Sequence, residues 1–227
     1  MSKNQTSNGN QWEKIYQGEG QSYKYYSILE LPHVDMDKVI GIFKKNKVKK
    51  ILDLGCGAGR NTWYLADKGF EVYGLDNAPT GLKILRRALK ERGLAAKLEV
   101  GDAFASLPYA DNSFDALVSV QVMQHAKESV IIKAIKEIVR VVKPGGLIFI
   151  TLCGRCSKGK VRYCLVQTAK KIAPNTYVPT QGNETGLTHF IYNQDLVHKH
   201  YKDFKIMDLW RDDKDYYAFV GRNNKSK

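Results

Sequence analysis

Short apolar runs alternate with amphipathic stretches of helical period through most of the chain. Lys50–Leu54, Phe70–Asp76, Lys97–Val100, Asp115–Val120 and Leu147–Leu152 are brief, apolar and bounded by turn residues, which predicts buried strands. Between them, apolar residues recur three and four apart. Met36, Val39, Ile40 and Phe43 mark one helix; Leu65 and Ala66 face inward on a second, Ala58 to Lys68. Leu82, Leu85 and Leu89 line a third, and Val130, Ile131, Ala134, Ile135, Ile138 and Val142 define a long fourth. Punctuation agrees with the pattern. Asp35 stands at an N-cap position, Gly69 and Gly93 stop helices, and Pro79 suits a first helical turn. Pro144-Gly145-Gly146 ends the long helix and turns into the fifth strand. Strand–helix alternation of this kind predicts an α/β fold with a largely parallel sheet covered on both faces.

Two regions fall outside the alternation. Met1 to Gln11 is rich in Asn, Ser, Gln and Gly and reads as a disordered tail, with order beginning at Trp12. A tyrosine-rich stretch with Tyr23, Tyr25 and Tyr26 follows, then His33. It either folds over the crevice at the strand ends or packs on the sheet edge. Gly154 to Gly186 is longer than a normal connection and reads as a lid, with a helix expected from Tyr163 to Ile172. Beyond it Asn193 caps a short helix carrying Leu196, Val197 and Tyr201. Phe204–Trp210 and Tyr216–Val220 form two last strands joined by a hairpin at Asp212–Asp215.

The candidate chemistry gathers at the strand ends. Lys50–Leu54 runs into Gly55-Cys56-Gly57-Ala58-Gly59-Arg60. Glycines there let the backbone approach a ligand closely, and the helix that follows offers free N–H groups. Arg60 stands where the dinucleotide fingerprint wants glycine, and no Lys-Ser/Thr pair makes a P-loop. Asp53 suits either a turn-stabilising role or a ligand ammonium group. Asp76, ending the second strand, can accept both hydrogens of a ribose diol, which fits NAD as well as any adenosine ligand. Asp102, after the third, can accept from an adenine amino group.

Together these residues resemble the class I S-adenosylmethionine-dependent methyltransferases of the small-domain kind called type 11. Asp53-Leu54-Gly55-Cys56-Gly57-Ala58-Gly59 resembles that family's first motif, Asp76 its ribose-binding acid and Asp102-Ala103 its adenine-side motif. Ser113–Ser119 with Gln124-His125 resembles its fourth motif, and Ile138–Gly146 its helix-to-strand turn. The likeness is close over 48–152 and looser beyond. It implies a Rossmann-like sheet of seven strands, mostly parallel, with helices on both faces. The last strand would be antiparallel, set between strands five and six. It implies one domain over 12–227: an N-terminal cap at 12–47, a cofactor-binding core at 48–152, a lid at 153–189 and a C-terminal helix and hairpin at 190–223. It implies S-adenosyl-L-methionine as cofactor, held by Asp53, Gly55, Cys56, Gly57, Asp76, Asn77, Asp102, Ala103 and Gln121.

Methyl transfer from a sulfonium needs alignment and exclusion of water more than acid–base groups. His125 and His189 are the candidate catalytic residues, since a neutral imidazole can take a proton near neutral pH. Tyr23, Tyr26, His33, Gln124 and Arg155 are the candidate substrate-binding residues. No metal cluster is evident; Cys153 and Cys156 resemble half a zinc site that nothing completes.

Composition changes the picture in one respect. The net charge of +13 would attract anionic partners, RNA included, although the lysines and arginines fall in separated clusters. The expected acceptor is a small molecule. Transfer-RNA base methylation and a non-catalytic cofactor-binding regulator are the competing readings, and a dehydrogenase is disfavoured by Arg60. No apolar run is long enough to span a membrane and the N-terminus lacks a signal's apolar core, so a cytoplasmic monomer or homodimer is expected.

Overall fold

In a computed structural model, residues 9–18, 31–154, 168–182 and 184–226 are described. Among the described residues, ten strands and six helices follow one another as α1 (Gly9–Tyr16), α2 (Met36–Lys45), β1 (Lys50–Leu54), α3 (Arg60–Asp67), β2 (Glu71–Asp76), α4 (Pro79–Glu91), β3 (Lys97–Val100), β4 (Phe114–Val120), α5 (Glu128–Val141), β5 (Val142–Leu152), β6 (Ala169–Ala173), β7 (Thr176–Pro179), β8 (His189–Phe190), α6 (Gln194–His200), β9 (Phe204–Arg211) and β10 (Tyr217–Asn223). Seven strands form one sheet in the order β3-β2-β1-β4-β5-β10-β9. The β1–β2, β2–β3, β1–β4 and β4–β5 pairs are parallel. β10 is antiparallel to both β5 and β9, so the last strand lies between the two before it, as expected.

Period-two alternation divides the core between the two faces of the sheet. Leu52, Leu54, Leu117, Ile148, Ile150 and Phe219 pack with Ile131, Ile135 and Ile138 of α5 and with Val197 and Tyr201. Ile51, Val118, Phe149, Ala218 and Val220 pack on the opposite side with Met36, Val39 and Phe43 of α2 and Leu65 of α3. Strand order reverses at β1, whose neighbours are β2 and β4. That is where a doubly wound sheet opens a crevice at its carboxyl ends.

Several boundaries differ from the sequence reading. α1 starts at Gly9, so residues 9–11 are helical and not part of the expected tail; residues 1–8 fall outside the described region. Asp35 takes the N-cap position of α2 without a side-chain capping bond, because its carboxylate accepts from Trp210 Nε1 at 2.8 Å. Asn193 does cap α6, accepting from Leu196 N at 2.8 Å. β5 begins at Val142, and the Lys143–Gly146 segment bulges between the pairs Phe114↔Val142 and Ala116↔Leu147. Where a helix was expected to reach Ile172, Ala169–Ala173 is a strand pairing with Thr176–Pro179. Pro174 disfavours a helical residue before it, and Asn175, at φ 53, turns the chain back into a hairpin. The rest of that expected helix, 163–167, falls outside the described residues. Among the described residues no helix is long and apolar enough to cross a membrane.

The 105–112 loop that follows β3 is clamped by α5. Arg140 donates to the carbonyls of Leu107 and Tyr109 at 3.0 and 2.7 Å and to Asp111 at 3.0 Å. Glu137 orients the guanidinium and accepts from Leu107 N at 2.8 Å. Removing Arg140 leaves loop carbonyls without this donor. Arg140→Ala is therefore expected to destabilise the protein by about 1–3 kcal/mol in urea unfolding, and Arg140→Lys to recover part of it; unchanged midpoints would show the clamp to be idle.

Candidate active site

β1 ends in a turn that only glycine can make. Gly55, Gly57 and Gly59 have φ of 76°, 53° and 89°, a region that L side chains enter at a cost. A Cβ on Gly57 would strike the Tyr16 hydroxyl, and one on Gly55 the Val122 side chain. The turn is sewn to the end of β2: Gly55 N and Cys56 N both donate to Leu75 O, at 2.7 and 3.1 Å. α3 then begins at Arg60 and directs its N-terminus toward the crevice.

Buried carboxylates hold this turn. Asp76 accepts from Gly57 N through Oδ2 and from Ala78 N through Oδ1, both at 2.8 Å. Burial outweighs these bonds and pushes its carboxyl up to about 6. Asp53 is 2% exposed and accepts from Thr62 Oγ1 at 2.6 Å. Burial pushes it up to about 7, with the neighbouring Asp76 charge adding to the effect. Asp102 accepts from Phe104 N at 2.9 Å. Cys56 is buried in the same place, and its thiol is pushed well above its ordinary range by desolvation and then by the Asp76 and Asp53 charges.

A cleft lies across the ends of β1, β2, β3 and β4. Gly55, Cys56, Gly57, Asp76, Asn77, Asp102, Ala103 and Gln121 all line it, together with Ala58, Gly59, Arg60, Asn61, Phe104, Val120 and Val122. Asp53 does not reach its wall. It sits beneath the turn, with its Oδ2 accepting from Thr62 of α3. Gln121 has φ 61 and is held by a bond from its N–H to Thr151 Oγ1 at 2.9 Å.

α1 closes one side of the cleft with Trp12 and Tyr16, which share a helix face. Glu13 pins the helix down, accepting from Thr80 N at 3.0 Å and Thr80 Oγ1 at 2.6 Å in the first turn of α4. Gln11 donates to the Thr185 carbonyl. Burial, then the charge of Asp76, raises the Tyr16 phenol above its ordinary value. The tyrosine-rich stretch, for which the sequence left two readings, lies outside the described residues. Tyr23, Tyr26 and Arg155 fall outside the described residues.

His125 also lines the cleft, with Trp12 edge-on at 5.2 Å between ring centroids. Burial, with His189 beside it, pushes the imidazole down to about 3, so it is neutral and weakly basic at physiological pH. His189 is not a wall residue. It stands behind His125, with ring centroids 4.6 Å apart, bonded through Nδ1 to Leu187 O at 2.9 Å and 3.0 Å from Glu184 through Nε2. Gln124, expected at the acceptor, faces inward and accepts from Cys153 N at 3.0 Å. His33 lies on the far side of α3, against Phe149 and 3.1 Å from Asp212. Its backbone N–H reaches the cleft only through Asn61, whose Oδ1 accepts it at 2.9 Å. Among the described residues no group of three His, Cys, Asp or Glu side chains could hold a metal ion.

Thr62, Glu13 and Thr80 escaped the sequence reading. Thr62 and Thr80 look like ordinary helix positions, and nothing local shows that Glu13 meets a helix start at Thr80. The Trp12–Tyr16 spacing was the available signal for an aromatic face.

Comparison with known proteins agrees with this geometry. Residues 51–146 match the family model described as a methyltransferase domain. The chain is 36% identical over 116 residues to tocopherol O-methyltransferase of Arabidopsis thaliana, covering 49% of this chain and 32% of the relative. It is 30% identical over 148 residues to the methyltransferase GfsG of Streptomyces halstedii, covering 61% and 52%. It thus spans about a third to a half of the length of these curated relatives. The fold is similar to that of 1,6-didemethyltoxoflavin-N1-methyltransferase of Burkholderia thailandensis, with a TM-score of 0.67 at 13% identity, over 99% of this chain and 94% of that one.

The raised carboxyls give the site a pH signature. For Asp53 the folded value, about 7, lies above the unfolded value of about 3.9. Its contribution to stability is therefore full below the unfolded value and lost as pH rises through the folded one. Asp53→Asn keeps an acceptor for Thr62 and removes the titration. Between pH ~5 and ~8 the variant is expected to gain stability relative to the wild type in urea unfolding; parallel curves would contradict the assignment.

Proposed function

We propose that the chain, whose residues 51–146 match the methyltransferase-domain model, is a class I S-adenosylmethionine-dependent methyltransferase that methylates a small-molecule acceptor with S-adenosylmethionine as donor. The observation that carries the reading is the cleft itself: a glycine turn at the end of β1 lines it, flanked at successive strand ends by Asp76 and Asp102. Asp76 accepts from the Gly57 and Ala78 N–H groups, with the Asn77 N–H also acting on it, and keeps acceptor capacity for a ribose hydroxyl. Asp102 and Ala103 suit the adenine side. The α3 N-terminus and the Gly55–Gly59 backbone suit a carboxylate. Asn77 and Gln121 complete the walls, and Asp53 supports the turn from below through Thr62.

When bound, S-adenosylmethionine supplies a methyl group on a positively charged sulfur, activated for displacement without protonation of the leaving thioether. What the chain must add is alignment and a dry cleft. Trp12 and Tyr16 provide apolar cover on one side, and Phe104, Val120 and Val122 line the cleft with them. A concave, largely apolar site of this kind suits a small acceptor. The names of the relatives point the same way, since they act on tocopherol and, in Rauvolfia serpentina, on norajmaline. The basic clusters favour RNA less than their count suggests: Arg87 pairs with Glu91 at 2.7 Å, and Arg92 lies 4.6 Å over the Trp63 ring. We place the protein among soluble cytoplasmic enzymes.

Calorimetry with S-adenosylmethionine and, in parallel, NADH tests the cofactor. Heat with the former alone is expected, and binding of NADH alone would overturn the family reading of the site. Gly57→Ala places a methyl group against Tyr16 at a backbone angle that costs about 1–2 kcal/mol. It is expected to weaken S-adenosylmethionine at least tenfold while the protein stays folded. Radiolabelled donor incubated with small-metabolite, RNA and protein fractions then decides the acceptor. Label confined to a nuclease-sensitive fraction would replace the small-molecule reading, and binding without any label would favour a regulator.

A further inference from the structure

We propose that Gln124 is a positioning residue that holds the His125 imidazole in a single neutral form, with its proton on Nδ1 and its Nε2 lone pair occupied, so that His125 shapes the cleft wall without accepting a proton. The chain of reasoning starts from Cys153, whose backbone N–H lies 3.0 Å from Gln124 Oε1. A backbone N–H can only donate, so the amide oxygen must face it and the amide nitrogen must face the other way. That nitrogen lies 3.4 Å from His125 Nε2. An amide nitrogen only donates, so Nε2 must offer its lone pair, and the neutral ring then carries its proton on Nδ1. Gln124 and His125 are 2% and 5% exposed, so water does not rearrange these choices.

The backbone carbonyls of Thr188 and Gln121 are close enough to favour an N–H on His125. The titratable groups facing the ring are His189 and Glu184. His189 Nδ1 lies 2.9 Å from Leu187 O, which accepts only, so the proton on that nitrogen is fixed too. Trp12 covers a further edge. With its Nε2 lone pair engaged and its Nδ1 protonated, His125 has no vacant basic nitrogen to offer an acceptor. One consequence rests on the methyl-transfer reading. The His125 side of the cleft suits an acceptor whose attacking lone pair is free on arrival, as in a phenolate or an unprotonated amine, rather than one that must be deprotonated there.

The test uses the full ¹⁵N-labelled chain and long-range ¹H–¹⁵N spectra of its five histidine rings, with His125 assigned by the signals lost in His125→Gln. Between about pH 5.5 and 8.5, across the range where an unperturbed imidazole titrates, wild-type His125 is expected to show the Nδ1–H pattern without change. Gln124→Glu keeps an oxygen for Cys153 N–H but turns a carboxylate toward His125 Nε2. It is expected to place a proton on Nε2 and bring a titration into this range. An Nε2–H pattern or a titration in the wild type overturns the proposal, as does an unchanged ring in Gln124→Glu. Should that variant not fold, the wild-type spectrum decides alone. The spectra need neither cofactor nor acceptor, so failure of S-adenosylmethionine binding would remove the methyl-transfer reading without touching this assignment.

Discussion

The turn from β1 into α3 depends on one bond above all, the Gly57 N–H to the Asp76 carboxylate at 2.8 Å. It links the end of β1 to the end of β2, the two strands between which the chain crosses through α3. Without a donor there, a buried carboxylate would be left partly unsatisfied, at a cost of about 1–3 kcal/mol or more. Without the acid, the glycines would lose their reason to stay in a left-handed path. Leu75 O, taking two N–H groups from the same turn, adds to the constraint. Because Gly57 then stands against Tyr16, the placement of the turn also sets where α1 can lie.

Electrostatics around that turn follow one rule. Asp53, Asp76 and His125 are taken out of water with largely neutral hydrogen-bond partners: Asp53 has Thr62, Asp76 has backbone N–H groups, and His125 has an amide and carbonyls, while the opposite charges of Arg60 near Asp53 and Glu184 near His125 act less than desolvation. Desolvation therefore dominates, and it drives acids up and the imidazole down. Neutral surroundings of this kind leave a bound cation to be met chiefly by dipoles and by whatever charge the two aspartates keep.

The sheet was legible because its signals are local. The continuous apolar runs of β1, β4 and β5, Gly69 and Gly93 after their helices, and the acids at the end of β2 and just past β3 all lie within a few residues of what they specify. The wall of the cleft was legible for the same reason, since a strand end and its following residue necessarily share the crevice. What failed was long-range. Asp53 looked like a ligand acid because Thr62, its partner nine residues on, carries no motif. Gln124 and His33 looked available because their partners, Cys153 and Asp212, come from strands far along the chain. The 169–173 strand looked helical because only its hairpin partner decides otherwise.

The same division bears on what can be inherited from relatives. The family match ends at Gly146, where the last of the locally specified elements is under way. α1 precedes that stretch, and β6, β7 and β8 follow it. α1 covers the cleft with Trp12 against His125, and it meets the later segment where Gln11 reaches Thr185 and where His189 of β8 backs His125. Contacts between segments so far apart in sequence can be rebuilt by changes at either end without disturbing the turn beneath them. A match confined to the turn and its strands therefore says little about what lies above them. What covers the turn has to be read from segments outside the match, beginning with Trp12 of α1 and His189 of β8, which meet the His125 ring from two sides.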